Sequence, residues 1–194
     1  MKQSFIFLAD GFETIEALTP VDVMRRAGMP VRTVSITSSR NVISAHGVKV
    51  EADLIYDSSL FTDCDWLVLP GGMPGAQNLY EFAPLAGLLR DHAGKGGNIA
   101  AICASPAVVL GQLGLLRGYK ATCYPGFEQA LDCGQHIDAP VVADRNMVLG
   151  NGPANALTWS LAIVKHALGK DAADKVAAEM LYFRPCDNTG NYFG

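Results

Sequence analysis

Residues 96–114 read GGNIAAICASPAVVLGQLG, and the fold turns on how they are parsed. Asn98 to Ile102 is a short apolar run behind a glycine pair, too short for a helix and bounded as strands are. Cys103 follows at once. After it come Ala104 and Ser105, and then Pro106 to Gln112 continues as a helical run. A strand, a sharp turn of small residues and a helix make one βα unit, with Cys103 at the turn.

The same rhythm extends in both directions. Strands are expected at Phe5 to Ala9, Val31 to Ile36, Trp66 to Leu69, Ala121 to Cys123, Val141 to Ala143 and Met147 to Gly150. Helices are expected at Ile15 to Arg26, Ala83 to His92, Ala154 to Leu168 and Ala172 to Met180. Short β-branched runs alternating with longer amphipathic ones indicate an α/β fold with a largely parallel central sheet. Gly28 after Arg25 and Arg26, and Gly169 after Lys165 and His166, place cations and a φ-permissive residue at helix ends. Pro20 either opens the regular part of its helix after a Thr19 cap or kinks a longer one. Residues 41–57 suggest a hairpin off the main sheet around His46-Gly47, and Asp144-Arg145-Asn146 a tight turn.

The chain has 194 residues, which is room for a single domain, here 1–183, with 184–194 a polar, unperiodic and flexible tail. Hydrophobic residues make up 49%, enough for a substantial core and against widespread disorder. A formal net charge of −4 gives no positive field for nucleic acid or anionic lipid. No apolar stretch approaches the roughly 20 residues that span a bilayer, so no membrane partner is expected, and the compartment expected is the cytoplasm. Five cysteines at irregular spacing, without a CxxC pair, argue against a disulfide framework or a metal site.

Three turns at the expected carboxyl edge of the sheet carry chemistry. Cys103 is the candidate nucleophile: a strand-to-helix turn exposes it, and the following helix N-terminus should lower its pKa. The plainer alternative is a buried structural cysteine. Gly71 and Gly72, in LPGGMPGAQNL, free backbone amides to point into a pocket, where Gly72 N–H and Ala104 N–H would form an oxyanion hole. The plainer alternative there is a tight turn. Glu13 and Glu16 follow the first strand; either they compensate the helix dipole on a solvated face, or Glu16 faces Cys103 as a protonated donor and proton shuttle. Of the four histidines, His92 and His166 read as solvated decoration late in helices, and none is an evident base.

TPVDVMRRAG at 19–28, LPGGMPGAQNL at 69–79, AAICASP at 100–106 and NGPANALTWSLAIV at 151–164 together resemble the ThiJ/PfpI superfamily. The branch they resemble is that of the human parkinsonism-associated deglycase and its bacterial relatives named for thiazole biosynthesis. The resemblance implies a flavodoxin-like three-layer sandwich, usually a homodimer. It places Cys103 on the reactive elbow cysteine, Glu16 on the carboxyl that hydrogen-bonds it, and Gly71, Gly72 and Ala104 on the pocket amides. Tyr124, Glu13 and Pro153 are the expected remainder of the pocket. Arg26 matches a position near the dimer seam, and His46 stands where some relatives have an arginine. Tyr124 stands where several relatives have a histidine, which counts against a Cys–His peptidase or amidase.

The implied activity is cofactor-independent and metal-free chemistry on a small reactive carbonyl such as methylglyoxal, of the glyoxalase or deglycase type. The alternative is an oxidative-stress sensor or redox chaperone acting through Cys103 oxidation.

Overall fold

The computed structural model describes residues 1–182. The expected tail at 184–194, and Cys186 within it, lie outside the described residues.

Strand β1 (Gln3–Leu8) leads into helix α1 (Thr14–Arg26) and strand β2 (Val31–Ser35). Strands β3 (Asn41–Ile43) and β4 (Lys49–Glu51) form an antiparallel hairpin apart from the main sheet, as the sequence pattern suggested. The chain then returns through β5 (Leu54–Ile55) and β6 (Cys64–Leu69), helices α2 (Gly75–Glu81) and α3 (Ala83–Gly94), and β7 (Asn98–Ile102). A single π-helical segment, Pro106–Gly111, follows β7. The remainder is β8 (Lys120–Ala121), β9 (Gln135–His136), β10 (Val141–Asp144), β11 (Met147–Gly150), α4 (Ala156–Leu168) and α5 (Lys170–Glu179).

Seven strands form the central sheet in the order β10-β11-β7-β6-β1-β2-β5, every pair parallel except β10 with β11. The chain winds outward from β1 to β2 and β5, then crosses back to β6 and winds the other way. That reversal places a topological switch point at the carboxyl ends of β1 and β6, where open α/β sheets bind ligands.

Period-2 alternation splits each central strand between two cores. Ile6, Leu8, Trp66, Val68, Ala100, Ile102 and Val148 pack with α1, α4 and α5. Phe5, Phe7, Leu67, Leu69, Ile99, Ala101 and Leu149 pack with α2, α3 and the π-helical segment. Both faces are covered, which is why these strands read as continuous apolar runs. The result is the flavodoxin-like three-layer sandwich, and each fully buried Leu, Ile or Phe in it contributes about 1.5–3 kcal/mol.

Three local readings change, and one left open is decided. The strand expected at Ala121 to Cys123 is confined to Lys120–Ala121, pairing with Gln135–His136 in a separate two-stranded sheet. Helix α2 was not expected, because it starts at Gly75 beside the prolines and glycines of the preceding turn. Of the two places expected for Pro20, the structure takes the second: it lies inside the longer helix, which Glu13 caps with a side-chain oxygen accepting from Glu16 N–H at 2.8 Å. His92 is buried rather than solvated.

Candidate active site

Cys103 closes β7 with φ of 63°, a left-handed conformation that costs a non-glycine residue about 1–2 kcal/mol. Backbone bonds on both sides hold it there. Its N–H donates to Gly150 O at 2.9 Å, and its carbonyl accepts from Tyr124 N–H at 2.8 Å. The strained turn lifts the side chain off the strand toward the switch point. Only 8% of Cys103 is exposed, so the turn does not hold the thiol out in the open as expected: the neighbouring β6 turn and Glu16 close over it.

Glu16 reaches the same point from the first turn of α1. It is fully buried, and its Oε2 accepts from Gly71 N–H at 2.8 Å. Oε1 is buried with no well-aligned hydrogen-bond partner; the Cys103 thiol bears on this carboxyl from one side and the charge of Glu13 from the other. The two acids of this turn therefore divide the roles that local pattern left open: Glu16 turns inward, and Glu13, expected in the pocket, caps the helix.

Gly71 makes the meeting possible. A Cβ there would lie 2.7 Å from Cys103 Cβ and 2.7 Å from Glu16 Oε2, so no side chain fits between them. Gly72 has φ of +86°, and a Cβ would come within 2.4 Å of Glu13 N. Gly71 O in turn accepts from Glu13 N–H at 2.9 Å, locking the β6 turn against the start of α1. Ser105 adds a tie from the other side, its hydroxyl donating to Pro70 O at 2.6 Å.

Burial pushes the Glu16 carboxyl up to about 7, against the opposing effect of Gly71 N–H and the Cys103 thiol. Burial also pushes the Cys103 thiol up, to about 12 beside an ionised Glu16, whose charge adds to the rise. The N–H groups of Gly72 and Ala104 act the other way. The expectation of a thiol made acidic by the following helix is thus corrected: those amides do favour thiolate, but burial and the carboxylate outweigh them. The segment after the turn is a π-helical one without a side-chain cap. A proton on Glu16 removes the carboxylate's share of the thiol's rise and leaves the share due to burial.

The other expected positions lie further out. Tyr124 is 44% exposed and anchored to the elbow through its backbone, its ring packed against Gly152. Pro153 opens the short turn before α4 and is half-buried. Arg26 ends α1 and pairs with Asp22 at 2.8 Å; His46 is exposed at the tip of the β3–β4 hairpin. No histidine is among the groups that bear on Cys103. No group of three or more metal-ligating side chains occurs among the described residues. Nor is any helix among them long and apolar enough to cross a membrane. The cis peptide before Pro74 was not foreseen from sequence, nor was the close approach of Gly11 and Gly75, where a Cβ on either would fall within 3 Å of the other's backbone.

Comparison with known proteins finds relatives along nearly the whole chain. DJ-1 homolog B of Arabidopsis thaliana is 35% identical over 181 residues, 93% of this chain. The chain spans about half the length of the plant relatives it matches, 41% of homolog B and 49% of homolog A. A protein named as a deglycase in Pyrococcus horikoshii is 33% identical over 168 residues, covering 85% of this chain and 98% of that one. The structure of oxidized DJ-1 from Toxoplasma gondii matches with a TM-score of 0.89 at 35% identity, over 95% of this chain and all of the other. The DJ-1/PfpI family model matches residues 2–166, a span that contains the β1, β6 and β7 turns and the thiol and carboxyl they bring together, and the chain belongs to that family.

Proposed function

We propose that the protein is a cysteine-dependent, cofactor-independent enzyme that converts small reactive carbonyls such as methylglyoxal, with Cys103 as nucleophile and Glu16 as proton shuttle. The observation that carries this reading is the fully buried carboxyl whose proton is held up to about 7, placed against a thiol at a strained strand end. A group that titrates near neutrality can both hold and release a proton during one turnover.

With Glu16 protonated, the Cys103 thiolate is steadied by Gly72 and Ala104 N–H and attacks the aldehyde carbon. The aldehyde oxygen takes the Glu16 proton, giving a hemithioacetal and a carboxylate. The carboxylate removes the proton from the former aldehyde carbon and delivers it to the adjacent carbon, turning the hemithioacetal into a thioester of a 2-hydroxy acid. Water then hydrolyses the thioester, releasing lactate from methylglyoxal and restoring the thiol. One carbon is oxidised and its neighbour reduced, so no external oxidant enters. The same amides would hold the oxyanions formed in the first and last steps.

The test is lactate formation from methylglyoxal by the purified protein beside Cys103→Ser and Glu16→Gln. Loss of turnover in both variants is expected; equal rates in wild type and Cys103→Ser would remove this reading.

A second reading, an oxidative sensor, draws on the buried Oε1 of Glu16 without a well-aligned partner. A protonated Oε1 would donate to a sulfinate oxygen on Cys103. Intact mass after mild peroxide, showing two oxygens gained at Cys103, would favour it. For assembly, exposed Ile15 and Leu18 on α1 and Ile43 and Val48 on the hairpin support a homodimer through the face that carries Arg26 and His46. Sedimentation equilibrium decides that point.

A further inference from the structure

At the opposite edge of the sheet, the amino ends of β1, β6 and β7 border a groove of about 900 Å3. Cys64, the first residue of β6, and His92, in the last turn of α3, both line it. Cys64 Sγ lies 3.6 Å from His92 Nδ1, and His92 Nε2 lies 3.1 Å from Asn98 O. A carbonyl only accepts, so the neutral ring carries its proton on Nε2 and offers Nδ1 to the thiol as a lone pair. Gly97 fixes the ring: a Cβ there would fall 2.4 Å from His92 Nε2 and Cε1. These are a nucleophile, a base within reach of it, and a third group orienting the base.

We propose that Cys64 and His92 form a second thiol site, at which a small cationic disulfide exchanges to leave a mixed disulfide on Cys64. The site is separate from Cys103 and does not depend on the function proposed above. The Cys64 proton passes to Nδ1 as sulfur attacks one sulfur of the disulfide. The disulfide S–S bond breaks, a new S–S bond forms to Cys64, and the departing thiolate takes the proton from His92. Cys64 is oxidised and the small disulfide is reduced to one thiol, with no other reactant. Burial holds the His92 imidazole below its ordinary value, and the backbone of Asn98 and Asp65 only partly offsets it, so the imidazolium formed on the way is short-lived and hands its proton on. The thiol has a competing contact, Phe61 O at 3.6 Å, in which it is inert; donation to Nδ1 is the reactive arrangement.

Charge selects the partner. Asp63, Asp65 and Asp91 line the groove with Lys2, Lys95 and the Met1 amino group, so the groove as a whole is balanced; the charges that bear on Cys64 itself are Asp63 and Asp65 against Lys2, which Asp63 engages at 2.6 Å. Asp63 and Asp65 flank Cys64 in the chain, so an approaching cation is drawn to the sulfur and an anion repelled.

The experiment uses the Cys103→Ser, Cys186→Ser protein, which silences the other site and removes the cysteine outside the described residues, with cystamine as the cationic probe and dithiodipropionate as the anionic one. Each rate is normalised to that with free cysteine. Peptide mapping by mass should find Cys64 modified before Cys123 and Cys133, with cystamine favoured over dithiodipropionate. His92→Gln should slow modification of Cys64 about a hundredfold, the low end of what a positioned base contributes. First labelling at another cysteine, no preference for the cation, or an unchanged rate in a folded His92→Gln protein would each overturn the proposal. The labelling order and the charge preference are read with His92 intact, so they decide even where that variant does not fold. Cys64→Ser in the otherwise unaltered chain leaves methylglyoxal turnover unchanged, keeping the two sites' outcomes apart.

Discussion

Gly71 donates its backbone N–H to Glu16 Oε2 at 2.8 Å, and a Cβ added to it would lie 2.7 Å from that oxygen and 2.7 Å from Cys103 Cβ. The β6 turn therefore supplies a donor and an empty volume at one position. Ile102 O, 2.9 Å from the same point, leaves the intruding atom no room to move away.

Gly71→Ala should accordingly separate the carboxyl from the thiol. Overpacking a tight site costs about 1–3 kcal/mol, and urea denaturation should find a loss in that range. Carbonyl turnover should fall steeply, while a conserved far-UV circular dichroism spectrum shows the fold intact.

Glu16 gives stability a definite pH dependence. Its carboxyl stands at about 7 in the folded protein against an ordinary value of 4.5, so between these the folded state binds the extra proton. Stability then falls as pH rises through that window, by roughly 3 kcal/mol in total from this group. Denaturation midpoints between pH 4.5 and 8 should decline in wild type. In Glu16→Gln, which keeps an acceptor for Gly71 N–H and has nothing to ionise, this component should vanish.

The same variant should split two reactivities of Cys103. Removing the carboxylate charge removes one of the causes that push the thiol up, so iodoacetamide should alkylate Cys103 faster in Glu16→Gln than in wild type at pH 8. Carbonyl turnover should be lost in that protein because the proton shuttle is gone. Alkylation and turnover falling together would mean that Glu16 merely holds the thiol in place.

Backbone strain at Cys103 is measurable by itself. At φ of 63° glycine is at ease and alanine is not. Cys103→Gly should be more stable than Cys103→Ala by about 1 kcal/mol, read from denaturation midpoints at constant slope. Equal stabilities would show that the turn relaxes once sulfur is removed.

Glu13 offers a control on the neighbouring acid. Its side chain caps α1 through Glu16 N–H at 2.8 Å, and Glu13→Ala should cost about 1 kcal/mol in thermal or urea unfolding. The Gly71 O contact uses Glu13 N–H, which the substitution keeps, so turnover should fall far less than in Gly71→Ala.

Local order wrote much of this protein directly into the chain. The apolar run ending at Cys103, the glycine pair at 71 and 72, and the cations before Gly28 and Gly169 each follow from neighbours within a few residues, and they identify βα units and the edge where chemistry gathers. Local pattern could not divide the roles of Glu13 and Glu16, because both spacings suit a helix start, and it was the family resemblance that singled out Glu16; the depth of Glu16 comes from β6 and β7 closing over it. It also misjudged the Cys103 thiol, since the amides that favour ionisation are local while the burial and facing carboxylate that oppose it come from distant segments. His92 is the same case: its helical position suggested solvent, and only packing against β6 and the start of β7 brought it to Cys64. Short-range pattern fixed which elements form and where they turn. Desolvation and the meeting of side chains some 30 to 90 residues apart were left to the tertiary structure, because both depend on what surrounds a group rather than on what precedes it.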